Sequence, residues 1–245
     1  MDRIKTIGLT LAMTGLTFTS LAQEEDGPLA YTYATYFDCT GDMSVVDEMM
    51  ADDADRMNEL VEDGVITNWG WMAHHTGGRW DRLSYYQAET MEGLMDAFGP
   101  VNDAPDADDD APAFSDTCWG HQDYIWAVNN GANSDERGSV GFSVYYDCDV
   151  AREAEAGDIV DEHFAPILNQ FVEDGKLASW GWHTHVVGGH VRALQTMTAS
   201  DVNALMAARG EVIEALYADN SLAGSQFVEI CGKHEDYIWN IQLEN

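Results

Sequence analysis

The 245-residue sequence predicts an α+β protein built from two tandem β-α-β-β-α-β units. Three observations carry that prediction. The stretch Trp69-Gly70-Trp71-Met72-Ala73-His74-His75-Thr76-Gly77-Gly78 recurs 111 positions later as Trp180-Gly181-Trp182-His183-Thr184-His185-Val186-Val187-Gly188-Gly189. Both copies follow the same lead-in, Val-Glu-Asp-Gly, at 61–64 and 172–175. Around both, strand-like and helix-like patterns come in the same order. A match this long at a single offset is the signature of an internal duplication.

The first residues read as an export signal. Arg3 and Lys5 give a basic start, 7–18 an apolar run, and Ser20-Leu21-Ala22 a small-residue cleavage site before Gln23. The run is too short and too polar to span a bilayer. The mature chain is therefore expected in the periplasm or outside the cell, and soluble. The boundaries that follow are a signal over 1–22, a first repeat over 23–128, a linker over 129–139 and a second repeat over 140–245.

Each repeat opens on an aromatic and β-branched segment, 31–39 and 140–148, hence a strand. A helix follows at 45–61, with Met49, Met57, Leu60 and Val61 on one side and Gly64 as its stop. Its counterpart at 159–172 carries Pro166, which predicts a kink or a late start. The Trp-Gly-Trp stretch is the second strand and the paired glycines its turn. Third strands are expected at 80–87 and 191–198. Second helices start near Met91 and Val202, with Glu89 and Ser200-Asp201 as start signals. The second half stays helical to Tyr217. The first breaks into the acidic 99–112 loop. Fourth strands are expected at 121–126 and 234–239, and the polar, Gly-bearing 129–139 joins the halves.

This order is the ferredoxin-like, or split β-α-β, arrangement. Four cysteines fall two per half, Cys39 and Cys118, then Cys148 and Cys231. In an exported chain they should oxidise. Three pairings exist, and the repeat favours one bridge within each half. The ferredoxin-like sheet order 4-1-3-2 makes strands one and four antiparallel neighbours, which brings Cys39 and Cys118 to one end.

Charge narrows the partners. The chain has 11 basic and 44 acidic residues, and losing Asp2, Arg3 and Lys5 with the signal leaves 9 against 43, a net of −34. Such a field repels nucleic acid and anionic membrane, so neither is expected as a partner.

Two ferredoxin-like halves of about 100 residues in tandem resemble the dimeric α+β-barrel superfamily in a fused, pseudo-dimeric form. That group includes antibiotic-biosynthesis-type and haem-degrading monooxygenases, stress-responsive barrel proteins and haem-binding relatives. The resemblance lies in element order and transfers no catalytic residue. It implies a pseudo-dimer within one chain, enclosing a shared interior.

The side chains suited to chemistry gather at one end of each half: Asp38, His74, Arg79 and His121, and Asp147, His185, His190 and His234. His74 and His185 are the candidate acid/base groups, since imidazole titrates near neutrality. The same residues would also serve simply to hold the turn. His121-x-Asp123 and His234-x-Asp236 place imidazole and carboxylate on one strand face, as an oriented pair or as a strand-start cap. His183-x-His185 is a two-His half-site, and Met72-x-His74 would suit copper. No compact third ligand follows, so no cofactor is expected, copper and haem being the two that the residues and the resemblance bring into view. Trp69 and Trp71, with Trp180 and Trp182, form an aromatic stripe. It is either core against helices or, if that face points inward, the lining of a ligand site together with Met72 and His183. Asp103, Asp106, Asp108, Asp109 and Asp110 lack the ligand spacing of a calcium loop and read as a solvated surface. The sequence thus predicts an exported protein holding a small apolar or aromatic molecule in an aromatic-lined barrel. The rivals are a barrel-type monooxygenase or isomerase working through a rim histidine, and a purely structural protein with a filled barrel.

Overall fold

The computed structural model describes residues 27–103, 113–218 and 221–245. The expected export signal, and Asp106, Asp108, Asp109 and Asp110 of the acidic loop, lie outside the described residues. The chain forms an α+β structure around one closed, eight-stranded antiparallel barrel. Its elements in order are β1 (Ala30–Cys39), α1 (Ser44–Glu62), β2 (Asn68–Gly77), β3 (Arg82–Ala88), α2 (Met91–Asp96), α3 (Phe98–Asn102), α4 (Phe114–Thr117) and β4 (Cys118–Asn133). There follow β5 (Val140–Asp147), α5 (Glu153–Ile159), α6 (Ala165–Glu173), β6 (Ser179–Val187), β7 (Ala193–Ala199), α7 (Val202–Leu216), α8 (Leu222–Cys231) and β8 (Lys233–Glu244).

Around the barrel the strands run β1-β3-β2-β8-β5-β7-β6-β4, and β4 returns to β1. The first four strands thus lie in the order β4-β1-β3-β2 and the last four in β8-β5-β7-β6. The β2–β8 and β4–β6 ladders weld the two sets together. Closure leaves no unpaired strand edge.

Alternation along each strand decides which side chains enter the barrel. Trp69 and Trp71 turn outward. Trp69 packs with Met57 and Leu94, and its Nε1 donates to Asn58 on α1 at 3.0 Å. Trp71 donates to Asp47 at 2.8 Å, the carboxylate that Arg82 also grips with two nitrogens. Trp180 donates to Asn169 of α6 at 2.8 Å, and Trp182 packs on Phe227 of α8. The stripe therefore sits between sheet and helices. Gly70, Met72 and His74, and Gly181, His183 and His185, face the barrel interior.

Local departures from the sequence reading have visible causes. Pro166 is accommodated by a π-helical turn, Val160–Phe164, between α5 and α6, which absorbs the lost N–H donor without ending the helical run. Thr90, not Glu89, caps α2 by accepting from the Gly93 amide. Asp201 caps α7 through the Asn203 and Ala204 amides. The sequence reading missed α8, which Ser221 starts by accepting from the Gly224 amide. The expected linker is partly strand, because β4 continues to Asn133 by pairing with β6, and 134–139 remains as the connection. Disulfides join Cys39 to Cys118 and Cys148 to Cys231 across 79 and 83 residues, tying the end of β1 to the first residue of β4 and the end of β5 to the end of α8, just before β8.

The paired glycines do more than turn the chain. Gly77 has φ +114°, and a Cβ there would lie 2.1 Å from the Asp236 carbonyl oxygen. A Cβ at Gly78 would lie 1.9 Å from the Tyr237 hydroxyl. Gly188 and Gly189 make the same close approach to Tyr124, at 2.4 and 2.3 Å. Each Gly-Gly is thus seated on the fourth-strand tyrosine of the opposite half. The two recurrent motifs of the sequence, Trp-Gly-Trp…Gly-Gly and Asp-Tyr-Ile-Trp, form the contact between halves.

Candidate functional site

The barrel has one filled end and one hollow end. The filled end holds the third-strand starts and the turns before them. Trp80, in the 78–81 connection, folds inward and stacks between Tyr36 (4.2 Å between centroids) and Tyr237 (5.1 Å). Tyr124 lies flat on Trp126 and Tyr237 flat on Trp239, each pair within 3° of parallel. Together with Tyr145 these rings plug the upper barrel.

His74 and His185 belong to that plug. His74 meets the edges of Tyr237 and Trp239 at 6.2 and 6.1 Å; His185 meets Tyr124 and Trp126 at 6.1 Å each. The His185 Nδ1 accepts from Arg192 at 2.9 Å, so the ring's proton sits on Nε2. Burial, and then the Arg192 charge, hold the His185 pKa below its ordinary value. Neither histidine lines the hollow end. Their predicted acid/base role therefore lacks access to a ligand there. Both instead direct an unpartnered Nε2 within an aromatic cluster.

The other predicted site residues separate in the same way. His121 and Asp123 approach to 3.3 Å, His234 and Asp236 to 3.6 Å, all partly exposed on the outside of the filled end. Their neighbours are outward rings, Phe37 for His121 and Tyr146 for His234. They form strand-start contacts, not a cavity wall. The four indoles of the Trp-Gly-Trp stripe pack toward the helices, and of these residues Trp180 alone also borders the hollow end. Among the described residues no three His, Cys, Asp or Glu side chains converge as a metal-binding group. His183 and His185 point to different layers of the barrel.

The hollow end encloses about 430 Å³ and lies among the starts of β1, β2 and β6, the ends of β3, β4 and β8, and the 134–138 connection. Its floor is Tyr36, Met72, Leu83, Trp126, Tyr145 and Leu194; its walls carry Thr32, Gln87, Ser143, His183, Thr196 and Thr198. This volume falls within the range of small-molecule sites, about 300–1,000 Å³, and it exceeds what the filled-barrel rival predicts. Of the predicted ligand-binding residues, Met72, Trp180 and His183 border it, Met72 and His183 with inward side chains.

The two glycines of the Trp-Gly-Trp motif create this space, and the two halves use it differently. In the first half Tyr85 lies across Gly70, where a Cβ would sit 2.5 Å from its Cε1. The Tyr85 hydroxyl donates to Glu244 at 2.5 Å and lies 3.2 Å from Asn68 Oδ1. Burial, then the Glu244 charge, push its pKa well up. In the second half the position of Tyr85 is taken by Thr196, and His183 lies over Gly181 instead, where a Cβ would be 2.8 Å from its Nε2. Thr196 is smaller than Tyr85, so this side stays open. Arg137, from the connection between halves, reaches Glu244 at 3.3 Å and closes part of the mouth.

His183 is 8% exposed, and its Nε2 has one contact, Thr196 Oγ1 at 3.4 Å. Burial drives its pKa down to about 4, so the ring is neutral at pH 7. It cannot act as an imidazolium acid there, and it retains one lone pair. As the side chains stand, no residue is presented as a haem ligand: the one imidazole in the wall, His183, turns its Nε2 to Thr196.

The sequence reading missed the floor. Tyr36 and Tyr145 occupy matching first-strand positions, and Trp126 is the inward ring of a segment read as ordinary packing. The alternation Thr32, Ala34, Tyr36 opposite the outward Tyr31 and Tyr33 was the signal available for it.

No family model matches the chain, and no curated relative matches it either. Solved structures share its fold. A candidate monooxygenase from Fusobacterium nucleatum subsp. nucleatum superposes with a TM-score of 0.57 at 10% identity, over 89% of this chain and 94% of that one. An anthrone oxidase-like protein gives 0.52 at 12% identity, over 90% and 94%. A chlorite dismutase mutant from Candidatus Nitrospira defluvii, in complex with cyanide, gives 0.52 at 10% identity, over 87% and 91%. These are dimeric α+β-barrel proteins, and at such identity the likeness is one of fold.

Proposed function

We propose that the protein is an exported binder of a small apolar or aromatic molecule, held at the hollow end of a barrel formed by two duplicated ferredoxin-like halves. The observation that carries this reading is the 430 Å³ space with an aromatic and aliphatic floor and a polar wall. The duplicated units are read as 23–128 and 140–245, joined by 129–139, of which 129–133 extends β4. Two disulfides suit an oxidising compartment, and no described helix is long and apolar enough to cross a membrane. The export signal, and a periplasmic or extracellular site of action, rest on residues 1–22 of the sequence.

The test exploits the asymmetry of the halves. Thr196→Tyr with His183→Met gives the second half the residues that fill the first, where Tyr85 and Met72 stand. Calorimetric titration of a panel of one- to three-ring aromatics against the native protein should give at least one saturable, one-to-one binder. The double variant, native by its circular dichroism, should lose it. An unaltered affinity in that variant places the ligand elsewhere and ends the proposal.

A second reading, a barrel-type monooxygenase or isomerase, is supported by one feature of the site. A neutral imidazole with a free lone pair, His183, stands in the cavity wall, and proton abstraction needs such a group. The neighbours that carry monooxygenase or oxidase names lend it a class of chemistry. His183→Gln, assayed for oxygen uptake or substrate isomerisation with any ligand found above, should abolish turnover while sparing binding.

A further inference from the structure

The connection between the halves is a thin wall between two spaces. Ser134, Glu136 and Arg137 line the barrel cavity on one side. On the other they line a groove of about 650 Å³ against α6 and α7, with Val172, Ala204 and Ala208 in its floor. The wall is pinned at both ends. The Ser134 amide donates to the Ala178 carbonyl at 2.7 Å, and the Ser139 amide to that of Ala199 at 2.9 Å. Gly138 lies so close to β7 that a Cβ there would sit 2.8 Å from the Thr198 Cβ. Between these points 135–137 is exposed, and its backbone bends. Among the described residues its one polar tie to another element is the ion pair of Arg137 with Glu244, at 3.3 Å. The two members differ in freedom. Glu244 ends β8, is 15% exposed and also accepts the Tyr85 hydroxyl. The residue after it, Asn245, is bonded to Trp69 and Asn58, so the carboxylate is a fixed post. Arg137 is 55% exposed and stands on the segment that has room to move.

We infer that 135–138 is a lid over the cavity mouth, held shut by the Arg137–Glu244 pair and released as ionic strength rises. The inference rests on the cavity-binding reading, since a lid matters only where something enters. The closed position is favoured by a half-sheltered carboxylate, where attraction is stronger than in open water. Swung outward, Arg137 would face Glu173 and the Lys176–Glu211 pair, whose carboxylates are exposed. Closure therefore has more attraction to lose when ions screen it. Salt can reach the pair because its cation stands mostly in solvent. The screening length falls from about 30 Å at 10 mM salt to about 3 Å at 1 M, close to the separation of these charges. Pairs of this exposure hold weakly, shifting an equilibrium by a factor of about two to five. That is too little to hold a fold together and enough to bias a short segment pinned at its ends.

The test measures access to the cavity without needing its ligand. All four cysteines are held in disulfides, so an introduced thiol is a clean reporter. Ser143→Cys puts one in the cavity wall, where Ser143 is 6% exposed. Ser225→Cys, on the exposed side of α8, supplies a reference rate that carries the effect of salt on thiol reactivity itself. Ala156→Cys, in the core outside the barrel, reports global unfolding. Each protein is treated with the neutral reagent N-ethylmaleimide, and modification is followed by mass spectrometry. Relative to Ser225→Cys, labelling of Ser143→Cys should accelerate about two- to fivefold between about 10 mM and 1 M sodium chloride. Adding Arg137→Gln, or Glu244→Gln (which keeps an acceptor for Tyr85), should give the fast rate already at low salt and abolish most of the salt response. Labelling of Ala156→Cys should stay slow throughout. If salt leaves the relative rate unchanged, if neither added substitution raises it, or if Ala156→Cys accelerates in parallel, the lid is wrong and the cavity reading stands. If Ser143→Cys never labels faster than Ala156→Cys, the space has no entrance and both are overturned.

Discussion

Replacing either glycine of the Trp-Gly-Trp motif by alanine should have unequal costs, although the sequence makes the two positions equivalent. At Gly70 the new Cβ would lie 2.5 Å from Tyr85 Cε1 and 2.9 Å from its Cζ. Carbon atoms rest at about 3.5–4.0 Å, so the ring must retreat by about 1 Å. It cannot do so freely, because its hydroxyl is bonded to the carboxylate of Glu244. Overpacking costs about 1–3 kcal/mol, and disturbing a hydrogen bond to a charged group about 1.5–3 kcal/mol. A total near 3 kcal/mol corresponds to a loss of about 6–12 °C in Tm for a domain of this size. At Gly181 the Cβ would approach His183 Nε2 at 2.8 Å and Thr196 Oγ1 at 2.9 Å, both ends of side chains joined by a single 3.4 Å contact. His183 can swing into the cavity. Removing a strand glycine also returns about 0.5–1 kcal/mol of backbone entropy, so the net change in Tm should stay below about 3 °C. Thermal unfolding followed by near-ultraviolet circular dichroism decides between these outcomes. Equal losses, or a larger loss for Gly181→Ala, would refute the claim that rings laid over these glycines set the shape of the cavity.

Three further outcomes follow from the same structure. His183 has a folded pKa of about 4 against 6.5 unfolded, so the unfolded chain takes up its proton first as pH falls. The stability it contributes is full above pH 6.5 and is lost between 6.5 and 4, about 3 kcal/mol in all; the difference between native and His183→Gln urea midpoints across that window should show it, and a flat difference would contradict the burial. Opening both disulfides removes closures of 79 and 83 residues, each contributing about 4–5 kcal/mol in the chain-entropy model. The reduced protein should accordingly unfold at a much lower urea concentration, and Cys39→Ala/Cys118→Ala should lower the midpoint about as much as Cys148→Ala/Cys231→Ala. Finally, His74→Ala and His185→Ala should each destabilise by about 1–2 kcal/mol as partly buried rings lost from contact with an aromatic cluster, yet leave the affinity for a cavity ligand within a factor of two. A tenfold loss of binding from either would return these residues to the site.

Much of the architecture was legible because it rests on local periodicity. The strand and helix order, the Gly stops at Gly64 and Gly175, the Asp201 cap and the within-half cysteine pairs are short-range features or follow from the repeat. What the sequence could not show is which face of each strand turns inward. Period-two alternation splits Trp69 and Trp71 from Gly70 and Met72, but only barrel closure assigns an inside. Of the two readings of the Trp stripe, core against helices and cavity lining, closure selects the first. The bulky residues went to the helices, where indole N–H groups found Asn58, Asp47 and Asn169.

The histidines misled for a related reason. His74, His121, His185 and His234 do cluster at one end of the barrel, as the strand order requires, and that clustering looked like a site. Closure turned the end into a plug. The Gly-Gly turns seat on Tyr124 and Tyr237, Trp80 folds in above them, and two of the histidines, partly buried, meet the edges of these rings. The opposite end offered one histidine, His183, and Met72 to draw attention to it. There the Tyr85 ring covers Gly70, whereas the smaller Thr196 and the His183 ring cover Gly181. An open site at that end therefore depends on a difference between the repeats, Tyr85 against Thr196 and Met72 against His183. A duplication is first noticed through what its copies share, but here the part able to hold a ligand lies where they have diverged.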